Sequence, residues 1–408
     1  MQMGWVDFSK GDRDKVMSIN NLLQEPWAVD ELGICPIRDG FANFFFPGTS
    51  TVQTRAKYYL IVPYVLQEAA TGKYGNQVTE ILRSIDKNER DCALSLYQRY
   101  KNNPIQARII GARILPHRWV ARKPSDIYWN GIRTYHIFTQ SAMSIADMVK
   151  LSVYIRTQEV GKKMGNRSDR NKEGEQDDRD AGGVESLRFF DLPVVSFKNW
   201  RDNLDINLTH EEAVYLKNKI EASVPDTLLS WILHKHVDLE QFDSFGALTA
   251  AIKADVPEEL SHMMELACRF NRLVYAARTR YNVILSRGMN QEACEEWNTL
   301  AKNMKHVTEI DIDELMAALR LNGNLHLKRF LEKLKAAFLA GDEKIADEII
   351  KSREIEIKIT KSRAKLCHAE DFPPDKWVGG GYLDYRYSSA KQIVLDIFDG
   401  ERSANVPD

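Results

Sequence analysis

Apolar residues recur along most of this chain at the three- and four-residue spacing of helices. Between Ser261 and Ser286, one stripe runs through Leu266, Phe270, Leu273, Val274, Ala277, Tyr281, Ile284 and Leu285. That is the pattern of a helix with one buried face. Asn76 to Ile85 repeats it with Val78, Ile81, Leu82 and Ile85. Gln53 to Ala70 is apolar almost throughout, which predicts a helix buried on all sides, with Pro63 removing one backbone hydrogen bond inside it. Thr209 to Ile220 opens on Thr-His-Glu-Glu, a hydroxyl cap followed by acids in the first turn. Ile310 to Ala340 reads as two helices broken at Asn322-Gly323-Asn324, and Glu343 to Leu366 as another. Strand patterns are few. Val194 to Phe197 is short. Glu354 to Thr360 alternates strictly but sits among helix formers, so it is read as helix. The expected class is mainly α, in two helical bodies with at most a minor β element.

The two bodies follow from one interruption. Gly161 to Asp180 carries six basic and six acidic residues in twenty positions and no aromatic. Such a stretch buries too little apolar surface to offset the entropy of ordering it. Residues 161–186 are therefore expected to be a disordered charged linker. It would separate an N-terminal helical domain, 1–160, from a C-terminal helical domain, 187–408.

Over the whole chain, hydrophobic residues are 44% and charged residues 28%, which is ordinary globular usage and excludes a wholly disordered chain. The formal net charge is −2, so binding to a polyanion needs a local patch rather than overall charge. The five cysteines are scattered, odd in number and without a C-x-x-C pair. That predicts free thiols and a reducing, cytoplasmic setting. The first fifteen residues become charged too early for a signal peptide, and the longest apolar stretch, Tyr58 to Leu66, is too short to cross a membrane.

Catalytic motifs are scarce. Gly72-Lys73 continues with Tyr74, so no phosphate loop is present, and Gly379-Gly380-Gly381 lacks the preceding strand that a phosphate cradle needs. His234-Lys235-His236 has no further ligand at metal-binding spacing, and the neighbours Cys367-His368 have no nucleophile–base geometry. The best enzyme-like pattern is Asp342 with Glu356 and Lys358. It loosely resembles the acid, acid-x-lysine arrangement of metal-dependent nucleases, which needs carboxylates on adjacent strands. A solvated helix face is the expected reading of these three. No catalytic residue, metal or other cofactor is assigned.

Positive charge does collect in one place. Residues 101–140 hold seven basic side chains against the single acid Asp126, interleaved with Trp119, Tyr128, Trp129, Tyr135 and Phe138. Arginine pairs with phosphate in a bidentate fork and aromatic rings stack on bases. The candidate nucleic-acid-binding residues are therefore Arg118, Arg122, Lys123, Trp129 and Arg133, on an extended chain leading to a short helix capped by Ser125 or Asp126. Arg55 and Lys57 join them, because Phe46 to Thr51 is a Pro-Gly turn that leads into a helix start, a modest anion site. The competing reading is that Tyr128 and Trp129 are core and the arginines are ion-pair partners. Lys351 to Lys365 is a third basic run, read as a solvated face.

Four blocks carry a family resemblance. They are GWVDFSKGDRDKV, VDELGICPIRDGFANFFFPGTSTVQTRAKYYLIVPY, SDIYWNGIRTYHIF and WVGGGYLDYRYSSAKQIVLDIFDG. They resemble an uncharacterised bacterial family known only as a domain of unknown function, over nearly the whole chain and most weakly at the charged linker. Members of that family tend to be encoded near phage-defence genes, beside helicases, methyltransferases and phospholipase-D-like nucleases. The resemblance implies a role on DNA or in a complex that acts on DNA; taken with the missing catalytic constellations and the basic-aromatic cluster, the expected function is a non-enzymatic accessory subunit of a bacterial antiviral system, with DNA or RNA and helicase or nuclease subunits as partners. The resemblance assigns no residue a role. A divergent metal-dependent nuclease and a structural scaffold without nucleic-acid contact are the alternatives.

Overall fold

The structure is a computed structural model that describes residues 30–140, 142–168, 188–193, 200–202, 204–358 and 363–403. In chain order the helices are α1 (Cys35–Phe45), α2 (Tyr58–Ala70), α3 (Val78–Arg99), α4 (Pro124–Thr134), α5 (Ile145–Ser168), α6 (His210–Ser223), α7 (Leu228–Lys235) and α8 (Phe245–Ile252). They continue with α9 (Glu258–Leu285), α10 (Gln291–Ala301), α11 (Met304–Val307), α12 (Ile312–Ala318), α13 (Leu325–Ala340), α14 (Glu343–Lys358) and α15 (Tyr387–Arg402). The fold is mainly α, as the periodicity predicts. Among the described residues the only β pairing is an isolated antiparallel bridge between Phe138 and Phe190. Val194–Phe197 and most of the expected linker lie outside the described residues; the helix α5 extends to Ser168, into the first part of that charged segment.

Two compact units divide the chain. One comprises Met1–Phe41 and Thr249–Tyr385, the other Ala42–Leu248 and Arg386–Asp408. The second unit thus takes described residues from both sides of the segment 161–186, and the C-terminal helix belongs to the unit built mostly from the first half of the chain.

The first unit is organised by α9. Its apolar stripe is buried through Leu266, Phe270, Leu273, Val274, Ala277 and Tyr281. Two buried asparagines on this helix each clamp one peptide of the irregular segment before α15. Asn271 donates to the Leu383 carbonyl at 2.9 Å and accepts from its N–H at 2.6 Å. Asn282 does the same for Val378 at 2.8 and 2.7 Å. These bonds satisfy backbone groups that have no helix or sheet to use. Helices α12 and α13 are separated at Asn322-Gly323-Asn324, and Asn324 caps α13 by accepting from the Leu327 N–H at 3.2 Å.

In the second unit α2 is the central element, and nearly all of its residues are buried, including Pro63. Its start differs from the expectation: residues 53–55 are irregular, 56–57 form a turn, and the helix begins at Tyr58. Helices α3, α4 and α5 pack on it, while α6 packs on α7 and α15. Thr209 caps α6 as its sequence predicts, accepting from the Glu212 N–H at 3.3 Å while Glu212 accepts from the Thr209 N–H at 2.9 Å.

Candidate nucleic-acid interface

The basic segment lies on the connection between α3 and α4, from Tyr100 to Lys123. That is well beyond the roughly 12–15 residues of an ordinary irregular connection. It is not loose chain. Ile109, Ile110 and Leu115 are buried. The Ile110 N–H donates to the Tyr58 hydroxyl at 3.0 Å, and the Ala107 carbonyl accepts from Arg55 at 3.1 Å. Short-range backbone bonds fold the rest into successive turns, among them Asn103 to Tyr100, Ala107 to Asn103, Leu115 to Gly111 and Arg118 to Ile114, each 2.9 Å. At the far end, the Trp119 indole N–H reaches Asp86 at 3.3 Å, and the Lys123 ammonium lies 3.4 Å from the same carboxylate.

Between these anchors, Lys101, Arg108, Arg113, His117 and Arg118 are exposed. The connection contains no acid, and the nearest one along the chain is Asp126, past the start of α4. None of the exposed cations forms an ion pair among the described residues. Two large apolar side chains, Ile105 and Ile114, are also exposed here, at 51% and 38%. A hydrogen-bonded connection that carries unpaired cations and exposed apolar side chains is chemically suited to a polyanion.

The expected site residues divide into three groups. Arg118 is exposed, whereas Arg122, Lys123 and Arg133 are half-buried. Trp129 is also half-buried and packs on Phe138, with ring centroids 4.7 Å apart, and edge-on to Phe190 at 6.4 Å. Part of its ring surface is therefore taken up by packing within the protein.

Arg55 and Lys57 are engaged inside the second unit. Arg55 Nε reaches both carboxylate oxygens of Asp396, at 2.9 and 2.8 Å, and its Nη2 donates to Asn207 at 2.8 Å. Lys57 is 5% exposed and pairs with Glu212 at 2.5 Å. Neither is positioned to meet an external phosphate. The anion site expected after the Pro-Gly turn is occupied by the protein's own bonds: Gln53 closes the turn on Gly48 and Ser50, and Tyr59 donates to the Gly48 carbonyl at 2.9 Å.

Tyr128 and Tyr135 are fully buried. The Tyr128 hydroxyl accepts from the Thr54 and Arg55 N–H groups at 2.8 and 3.0 Å and donates to the Arg55 carbonyl at 2.9 Å. The cap of α4 also differs from expectation. The helix begins at Pro124, and Asp126 accepts from the Lys123 N–H at 3.3 Å. Ser125 is drawn away by Glu89, which accepts its N–H at 2.7 Å and its hydroxyl at 3.0 Å. Burial pushes the Glu89 carboxyl up to about 8, against the pull of the Ser125 donors.

Residues 1–149 match a family of unknown function (DUF6361). Nothing matches among curated proteins or among solved structures. The DUF6361 span holds the whole Tyr100–Lys123 connection, α4, Arg55 and Lys57, but not Glu212 or Asp396. The C-terminal block that carried part of the resemblance lies outside it.

Asp342 and Glu356, the carboxylates of the nuclease-like pattern, lie on one helix rather than on neighbouring strands. Asp342 caps α14 by accepting from the Ile345 N–H at 3.0 Å. Glu356 pairs with Arg353 at 2.8 Å and His326 at 2.7 Å. At 1.5 Å per residue, the fourteen-residue step from Asp342 to Glu356 places them about 21 Å apart. The third basic run is not a uniformly solvated face. Arg353 is buried and donates to the Leu32 carbonyl at 2.9 Å, and Lys365 pairs with Glu31 at 2.5 Å. Among the described residues no group of three or more His, Cys, Asp or Glu could hold a metal ion, and no helix is long and apolar enough to cross a membrane.

Proposed function

We propose that this chain is a non-catalytic nucleic-acid-binding subunit whose contact surface is the Tyr100–Lys123 connection. The observation that carries this reading is that four cations, Lys101, Arg108, Arg113 and Arg118, are exposed on one hydrogen-bonded connection that contains no acid. The chain as a whole is nearly balanced in charge, with 56 Lys and Arg against 58 Asp and Glu, so acids are available elsewhere. Here they are withheld, which leaves the full attraction for phosphate available. Ordering costs on binding are small because the turns are already formed. The contacts are to phosphate, so they position a strand without reading its sequence. A bacterial antiviral complex with helicase or nuclease subunits, the setting implied by the resemblance, is one in which such a subunit would act.

The test is fluorescence anisotropy of the purified chain with a labelled duplex and a labelled single strand, titrated from about 50 to 200 mM salt. Binding on the order of 10⁻⁴–10⁻⁶ M near physiological salt, weakening steeply as salt rises, is expected for a sequence-independent phosphate contact. Absence of salt-dependent binding to either probe overturns the reading and leaves the connection as a surface for an acidic protein.

A further inference from the structure

The first unit carries an open groove of about 370 Å³ between α13 and α14, and we infer that it is the interface through which two copies of this chain pair. The two helices form a tight hairpin. Gly341 closes α13 in the left-handed conformation, φ 69°, and Asp342 immediately caps α14. The inner faces are packed through Leu331, Leu334, Phe338, Ala346 and Ile350. The outer seam is left open. Its floor is Phe330, covered in part by the Arg353 guanidinium 5.1 Å from the ring centroid. Along the seam Ile345 is 49% exposed and Ile349 half-buried.

Charge is sorted between the two walls. On α13, Arg329 and Lys333 are exposed; on α14, Glu348 is exposed, and none of the three forms an ion pair among the described residues. At the other end His326 and Glu356 already bridge the walls at 2.7 Å. Lys333 lies eight residues before Gly341 and Glu348 seven after it, so both stand at nearly the same height along the hairpin.

This arrangement is complementary to itself. A two-fold axis running along the groove lays α13 of one copy over α14 of the other and keeps every residue at its own height. Lys333 of each copy then meets Glu348 of the other, while Ile345 and Ile349 of both copies meet at the centre. Four helices result, each antiparallel to its neighbours, which is a standard bundle arrangement. A cationic wall beside an anionic wall, flanking an apolar seam, favours a second copy over a partner of uniform charge, which would be repelled by one wall.

Sedimentation equilibrium of the full chain tests the inference. A dimer with a dissociation constant of about 1 μM is expected, that of a modest interface. Ile345→Glu, at a half-exposed position that tolerates polarity in the monomer, is expected to weaken it at least ~10-fold with unchanged circular dichroism. Lys333→Glu and Glu348→Lys are each expected to weaken it by a similar factor. The chain carrying both should recover to within about 3-fold of wild type, because each pair is reversed rather than removed. A wild-type chain that is monomeric at about 100 μM, a dimer indifferent to Ile345→Glu, or a double variant no better than the singles overturns the inference.

Discussion

Arg55 and Asp396 are 341 residues apart and share a bifurcated contact, with the Arg55 Nε–H 2.8–2.9 Å from both carboxylate oxygens. The same carboxylate also accepts the Ala56 N–H at 2.7 Å. One acid from α15 therefore fixes the turn that leads into α2, the most buried helix of the second unit. The charge of Arg55 is spent on architecture.

Removing one partner of such a pair strands the other away from water. Asp396→Ala is expected to destabilise the second unit by about 3–5 kcal/mol. Urea unfolding of the purified variant measures it as a lower midpoint with an unchanged slope. A loss within about 0.5 kcal/mol, typical of surface positions, would show that the contact is not a structural tie.

Glu89 supplies a pH dependence of definite sign. Its folded carboxyl titrates near 8, raised by burial, against about 4.5 when the chain is unfolded. Between those values the folded state holds the extra proton, so this group makes stability fall as pH rises, by up to about 1.4 kcal/mol per pH unit. Below the lower value its contribution is fully present; above about 8 it is lost. Glu89→Gln cannot ionise and keeps an acceptor for the Ser125 N–H. The variant is expected to match wild type near pH 5 and exceed it at pH 8, read from urea midpoints across that range. Parallel pH profiles for the two proteins would contradict this.

What was legible in the chain was what is local. The break at Asn322-Gly323-Asn324, the hydroxyl cap at Thr209 and the apolar stripe of α9 each depend on residues within a turn or two, and each is present where the pattern places it. The basic character of residues 101–123 was equally plain. The pairing state of individual cations was not. Arg55 and Lys57 look as available as Arg118 in the sequence, yet their partners lie 341 and 155 residues away. Ser125 is an ordinary cap residue until Glu89, 36 residues earlier, takes both its donors. No local signal carries such information, because the fold creates these proximities.

Trp129 separates support from contact. Its ring is packed against Phe138 and Phe190, so truncation costs packing first. Trp129→Ala is expected to lower stability by about 1–3 kcal/mol, below the value for a fully buried ring because the site is half-buried. Trp129→Phe should restore most of the stability and leave the affinity for a single strand within about 2-fold of wild type. A single-strand affinity that drops ~10-fold in Trp129→Phe while stability is retained would mean that the indole itself stacks on a base, a contact worth about 1–3 kcal/mol.

The exposed, unpaired cations and the ion-paired Arg55 make different predictions for nucleic-acid binding. Each phosphate neutralised by the protein releases condensed counterions, and on a duplex the logarithm of affinity falls with the logarithm of salt by about 0.9 per contact. Arg113 and Arg118 are exposed and unpaired, so the chain with both changed to Gln is expected to bind duplex more weakly. Its salt slope should be lower by about 1–2 units, equally for unrelated sequences. Arg55 spends its charge on Asp396 and Asn207, so Arg55→Lys, assayed under conditions where the variant remains folded, should leave that slope unchanged. Anisotropy at four or more salt concentrations gives both slopes in one experiment. If Arg55→Lys lowers the slope and the Arg113/Arg118 double variant does not, the polyanion contact lies elsewhere on the second unit, and the Tyr100–Lys123 connection has another role.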